Sequence, residues 1–163
     1  MTEQEFVRLY ERAAPALRSY LRLLCRNPAL ADDLLQDSFL RMIRVDVTRL
    51  DEHQLKSYLY KAATSAAMDH FRAQKRELQG LSDLQNESQS NVDLDLPQDM
   101  NRALVGLRPQ QQVLLWLAYV EGFEHREIAP LLGLGEKSVR VLLFRARQQL
   151  AAVLKDRRVE ETT

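Results

Sequence analysis

Residues 121–150, EGFEHREIAPLLGLGEKSVRVLLFRARQQL, decide how this chain is read. They predict a short helix, a glycine-containing turn and a second, longer helix. The first helix needs an apolar inner stripe, and Ile128, Ala129, Leu131 and Leu132 supply one; Leu132-Gly133-Leu134-Gly135 is the turn. In the second helix Val139, Leu143, Ala146 and Leu150 fall at i, i+4, i+7 and i+11, a single face, and Lys137, Arg140, Arg145 and Arg147 lie largely off it. A helix that buries one stripe and presents cations on the other is the build of a DNA-reading helix-turn-helix. Any amphipathic helical hairpin in a bundle shows this much, so the pattern alone leaves both readings open.

Outward from that segment, the chain of 163 residues has 45% apolar and 28% charged residues, the composition of a folded protein rather than a disordered one. Its longest apolar run, ending at Val120, is far short of the ~20 residues a membrane span needs. The start, MTEQEF, lacks the apolar centre of a signal peptide, so a cytoplasmic protein without membrane insertion is expected. Cys25 is the single cysteine, which excludes an internal disulfide and suits a small core residue. His53, His70 and His125 stand alone without ligand spacing, so no metal or other cofactor is expected.

The net charge of zero conceals a division. Residues 1–76 carry 13 Lys/Arg against 10 Asp/Glu, residues 77–99 none against 6, and residues 100–163 carry 10 against 7. The acidic strip, ELQGLSDLQNESQSNVDLDLPQD, is rich in Ser, Asn, Gln and Asp, contains Gly80 and Pro97, and has no sustained helical stripe. It reads as a flexible linker. An all-α protein of two small helical domains follows, with boundaries at 3–76 and 98–155, a linker at 77–97 and a polar tail at 156–163. No strand-like alternation of useful length interrupts the helical periodicity.

Three helical stretches make up the first domain. Phe6, Leu9, Tyr10, Ala13, Leu17, Tyr20, Leu21 and Leu24 recur at three and four, with Pro15 a place where the helix bends or splits. Asn27-Pro28 breaks the chain, and a second helix opens near Ala29 with Leu35, Ser38, Phe39, Met42 and Ile43 facing inward. Its other side carries Asp32, Asp33, Gln36, Asp37, Arg41 and Arg44 around one misplaced leucine, Leu40. That leucine is either the centre of a protein contact or a stray on a solvated face. The third stretch, Leu55 to Arg76, mixes Tyr58, Tyr60, His70 and Phe71 with Lys56, Lys61, Arg72, Lys75 and Arg76. Rings beside cations suit single-stranded nucleic acid, and a charged helix end with core aromatics has the same composition.

In this order the parts resemble the extracytoplasmic-function sigma factors of RNA polymerase. The resemblance covers about residues 5–76 and 103–154, in LYERAAPALRSYLRLLCRNPALADDLLQDSFLRM, LKSYLYKAATSAAMDHFR and ALVGLRPQQQVLLWLAYVEGFEHREIAPLLGLGEKSVRVLLFRARQQL. It implies a sigma-2-like helical bundle and a sigma-4-like helix-turn-helix, with no active site of its own. It further implies that Asp33, Gln36, Asp37, Leu40 and Arg44 contact core polymerase at the β′ clamp helices, with the β flap a second contact. The loop VDVTRLDEHQ, Val45 to Gln54, would capture an extruded base of the −10 promoter element, while Tyr58, Lys61, Ser65, Asp69, Arg72, Lys75 and Arg76 read that element. Lys137, Ser138, Arg140, Val141, Phe144, Arg145 and Arg147 would contact the −35 element. An anti-sigma protein is the further expected partner. The 21 residues from 77 to 97 average about 25 Å as a coil and reach about 70 Å extended. A promoter spacer of about 17 base pairs spans about 58 Å. Such a linker bridges it only when stretched.

The chain departs from the family pattern at Thr64-Ser65, usually Arg-Asn, and at Tyr58, usually Trp. It also departs at Glu124 and Gly135, usually capping Ser, at Pro130, and at Val141-Leu142, usually Ser-Arg. An isolated helix-turn-helix regulator and a protein-binding helical adaptor are the rival readings. The first lacks a use for an N-terminal domain built to hold a large partner, and the second predicts no transcription with core polymerase at any promoter.

Overall fold

The computed structural model describes the backbone of residues 2–78 and 98–161, and the side chains of residues 2–74 and 98–156. Every regular element among them is helical, and they divide into two compact units, one before and one after the segment 79–97. The linker reading at 79–97 lies outside the described residues.

The first unit is three helices. α1 (Glu3–Cys25) opens on a reciprocal cap, in which Glu5 N–H donates to Thr2 Oγ1 at 3.2 Å and Thr2 N–H donates to Glu5 Oε2 at 2.9 Å. Of the two expectations for Pro15, a bend or a split, the split does not occur: the helix runs from Glu3 to Cys25 with the ring on the exposed side. α1 ends at Arg26, which takes the left-handed conformation (φ 57°) that turns the chain toward Asn27. Asn27 then caps α2 (Pro28–Ile43) by accepting from Leu30 N–H at 3.2 Å, with Pro28 at the first helical position, one residue earlier than the sequence suggested. α3 (Glu52–Leu78) begins on a second reciprocal cap: Gln54 N–H donates to Asp51 Oδ1 at 2.8 Å and Asp51 N–H to Gln54 Oε1 at 3.0 Å. Two boundaries therefore move. Glu52, His53 and Gln54 are helical rather than part of the loop, and Glu77 and Leu78 belong to α3 rather than to the linker.

The core of this unit is Leu17, Tyr20 and Leu21 of α1, Ala31, Leu35, Phe39 and Met42 of α2, and Leu59, Ala63 and Ala67 of α3. Phe39 lies 4.8 Å from Tyr10 with the rings tilted 54° to each other, and meets Phe6 edge-on at 6.1 Å. The alanines of α3 let it approach its neighbours closely. Arg18 to Asp32 (3.2 Å) and Arg12 to Glu52 (2.7 Å) add surface ion pairs between helices, each worth little in solvent. Cys25 is half-buried, and burial pushes its thiol up to about 11.

The second unit has four helices. α4 (Gln98–Val105) leads to α5 (Pro109–Leu115), and buried Gln112 of α5 ties the two by donating from Nε2 to the carbonyls of Leu104 and Leu107. α5 continues into a π-helical turn, Trp116–Val120, closed by Glu121 N–H to Trp116 O at 3.0 Å. α6 (His125–Leu132) and α7 (Glu136–Glu161) follow, so residues 156–161 extend α7 instead of forming a separate tail. Leu104, Leu107, Leu114, Trp116, Leu117, Phe123, Ile128, Val139, Leu143 and Ala146 make the core.

Candidate nucleic-acid and polymerase interfaces

The helix-turn-helix geometry forms as the sequence pattern requires. Gly133 ends α6 in the left-handed region (φ 66°), where a side chain is strained, and Leu134 N–H donates back to Ala129 O at 2.9 Å. The serine that usually caps α6 is not needed here. Glu124 N–H donates to Glu127 Oε1 at 3.1 Å, while the Glu124 carboxylate pairs with Arg126 at 2.6 Å. Pro130 sits inside α6 on its exposed side, where the missing N–H costs one helical bond and disturbs no core contact. Val139 N–H donates to Gly135 O at 3.0 Å, and Gly135, having no side chain, supplies none of the capping oxygen that a serine there would.

On α7, Lys137, Ser138, Arg140, Val141, Phe144, Arg145 and Arg147 are all exposed, opposite buried Val139, Leu143 and Ala146. Leu150 is half-buried and closes the inner stripe. Arg147 is not free to swing: its Nη1 donates to the Tyr119 hydroxyl at 2.8 Å. The π-turn is what brings Tyr119 to this flank, an arrangement no period of three or four announces.

On α3, Lys61, Ser65, Asp69 and Arg72 are exposed at i, i+4, i+8 and i+11, one stripe, with Arg72 3.8 Å from Asp69. Tyr58 is half-buried at the start of that side, its hydroxyl 3.5 Å from Arg41 O. Lys75 and Arg76 continue the helix, and their side chains lie outside the described residues. Thr64, at the place where the family pattern has arginine, faces inward. Its hydroxyl donates to Tyr60 O at 2.6 Å and shares a 2.7 Å hydrogen bond with the Tyr20 hydroxyl. Burial raises the Tyr20 phenol well above its usual range, so this pair is neutral. Tyr20 is the partner that sequence reading missed, because its spacing marks it only as core.

On α2, Asp33, Gln36, Leu40 and Arg44 are exposed, and Asp37 is half-buried with its carboxylate 3.0 Å from Arg41. Leu40 is 53% exposed. Ile43, expected to face inward, is 56% exposed instead and joins Leu40 on the outer side. Val47, in the loop after α2, is buried. In that loop Thr48 donates to Asp46 Oδ1 from its backbone N–H (3.1 Å) and from its hydroxyl, which holds the aspartate below the usual carboxylate range. Between the loop and the start of α1 lies a cavity of about 500 Å³, bordered by Phe6, Met42, Ile43, Val45, Asp46 and Thr48.

Among the described residues no group of three or more His, Cys, Asp or Glu stands close enough to hold a metal ion, and no helix is long and apolar enough to cross a membrane.

Two helical units, the second a helix-turn-helix, define a sigma-type arrangement, and comparison with known proteins gives it a family. Residues 9–77 match the model of Sigma-70 region 2, and residues 98–150 match that of Sigma-70, region 4. The chain is 26% identical over 151 residues to the ECF RNA polymerase sigma factor SigM of Bacillus subtilis, covering 89% of this chain and 92% of that one. It is 28% identical over 163 residues to the RNA polymerase sigma factor CarQ of Myxococcus xanthus, covering 97% and 94%. A solved structure of the sigma factor RpoE from Bartonella quintana, in complex with the anti-sigma factor NepR, has the same fold (TM-score 0.72, 24% identity, 93% of this chain and 98% of that chain). The chain belongs to the extracytoplasmic-function sigma factors, which direct RNA polymerase to promoters.

Proposed function

We propose that the three exposed faces divide the work of initiation among them. The outer side of α2, Asp33, Gln36, Asp37, Leu40 and Arg44, docks on the β′ clamp helices of core polymerase. The loop after α2 and the stripe Tyr58, Lys61, Ser65, Asp69, Arg72, Lys75 and Arg76 take the −10 element, with the cavity beside Asp46 and Thr48 as the place for an extruded base. α7 takes the −35 element. Residues 3–76 are then the sigma-2-like domain, 98–155 the sigma-4-like domain, and the acidic segment between them bridges the spacer. The chain carries out no bond chemistry of its own and acts in the cytoplasm beside the polymerase.

One observation carries the polymerase assignment: two large apolar side chains, Leu40 and Ile43, exposed on a helix face that also presents Asp33, Gln36 and Asp37. A solvated helix has no use for them, whereas a desolvated apolar centre ringed by polar groups is the anatomy of a protein hot spot. The structural relative RpoE, solved in complex with the anti-sigma factor NepR, supports a similar restraint here.

The reading requires that core polymerase creates most of the DNA affinity. With net charge zero, free chain has little phosphate-driven attraction to DNA. Pull-down with core polymerase, followed by mapping of transcript starts, tests the function. Fluorescence anisotropy with and without core at matched salt tests the mechanism. Tight specific binding by the free chain points instead to a self-sufficient regulator.

A further inference from the structure

The outward face of α7 is ordered in a way that general attraction to DNA does not require. Lys137, Val141, Phe144 and Gln148 fall at i, i+4, i+7 and i+11, directly opposite the buried stripe of Val139, Leu143 and Ala146. Arg140 lies along one edge of this line, with Arg147 held there by Tyr119, and Arg145 lies along the other. Cations therefore border both sides, and the middle is apolar: Val141 is 48% exposed and Phe144 53%. Leu142, at the place of a family arginine, is half-buried and takes no part.

Two cationic edges fit a surface with a wall of phosphates on either side, which is a DNA groove rather than a protein partner. An apolar middle then faces base edges. In the major groove the one apolar group a base pair presents is the thymine C5 methyl, and an amide such as Gln148 matches the paired donor and acceptor of adenine. Val141 to Gln148 spans about 10 Å of helix axis at about 1.5 Å per residue, room for about three base steps.

We propose that Val141 and Phe144 select thymine methyl groups in the −35 element, and that Gln148 reads an adenine beside them. Valine in place of the usual serine exchanges a hydroxyl that accepts several bases for a group that rewards only a methyl. This inference rests on the assignment of α7 to the −35 element. It names the chemistry by which that helix chooses its sequence.

The test uses holoenzyme assembled from core polymerase and this chain, on a promoter found by transcript mapping. Each −35 thymine is replaced in turn by uracil, which lacks only the methyl, and binding is read by competition. At one or two positions the replacement should weaken binding by about five- to tenfold, the low end of what a mismatched pair costs. Val141→Ser should erase the sensitivity at one position and Phe144→Ala at a neighbouring one, with helix content unchanged by circular dichroism. Wild-type holoenzyme that is indifferent to every uracil, or a −35 element without thymine, overturns the proposal whatever the variants do. Arg140→Ala, measured alongside, separates the two levels. If it weakens promoter binding while uracil has no effect, only methyl reading fails. If neither Arg140→Ala nor scrambling the −35 sequence matters, the assignment of α7 fails as well.

Discussion

α2 and α7 each expose two large apolar side chains on the side away from a buried stripe, Leu40 with Ile43 on one and Val141 with Phe144 on the other. Their surroundings differ in character. Around Leu40 stand Asp33, Gln36, Asp37 and Arg44, with Arg41 drawn to Asp37 at 3.0 Å, a mixed set; around Val141 and Phe144 stand the cations Lys137, Arg140, Arg145 and Arg147. Apolar exposure says that a partner exists, and the charges beside it say which kind. Carboxylates near the apolar pair repel a phosphate backbone and accept a basic protein surface, whereas arginines on both edges do the reverse. One structural device, set among mixed charges on α2 and among cations on α7, fits the proposed polymerase contact at one end of the chain and the proposed DNA contact at the other.

The comparison breaks most visibly on α2. Asp37→Arg combined with Leu40→Ala should cost about 2 kcal/mol or more in core-polymerase affinity, roughly 30-fold, with helix content unchanged. Competition against another sigma subunit measures it, and wild-type affinity in the double variant removes α2 from the interface. The same substitutions should leave the salt dependence of promoter binding by whatever holoenzyme still forms unaltered.

A smaller effect is expected from Arg140→Ala on α7. Losing one phosphate contact should lower promoter affinity about five- to tenfold and reduce the slope of log K against log salt by about 0.9, with core binding intact. A normal slope together with weakened core binding would mean that the two faces had been assigned the wrong way round.

The least effect on either partner belongs to a change made between the helices. Tyr20→Phe deletes the hydroxyl shared with Thr64, which keeps its bond to Tyr60 O, and should cost about 1 kcal/mol of stability in denaturant unfolding. Both interfaces should be untouched. Loss of −10 recognition in this variant would show instead that the hydroxyl pair sets the orientation of α3 toward DNA.

Much of this was legible in the residues. The 3.6-residue period of Val139, Leu143 and Ala146, the turn at Gly133 and the break at Asn27-Pro28 follow from local rules, since burial of one helix face and the conformations open to glycine and proline depend on few neighbours. Exposure of Leu40 was visible for the same reason: its ring of charged and amide neighbours is a property of one helix.

What needed the tertiary structure is what depends on where a second element arrives. Ile43 has the period of a core residue, yet α2 ends there with Ile43 exposed, and Val47 of the following loop is buried instead. Pro15 sits where a helix can break, yet the exposed side of α1 has room for its ring. Thr64 looks like a lost DNA contact until Tyr20, 44 residues earlier, is seen to bond its hydroxyl, and Arg147 looks like one more free cation until the π-turn sets Tyr119 beside it. The sequence by itself determined the helices, their buried faces and the sign of charge on their outer sides, because those are encoded within a few turns. Only the packed fold decided which polar and apolar groups near those faces are already engaged, because that depends on distances between residues far apart in the chain.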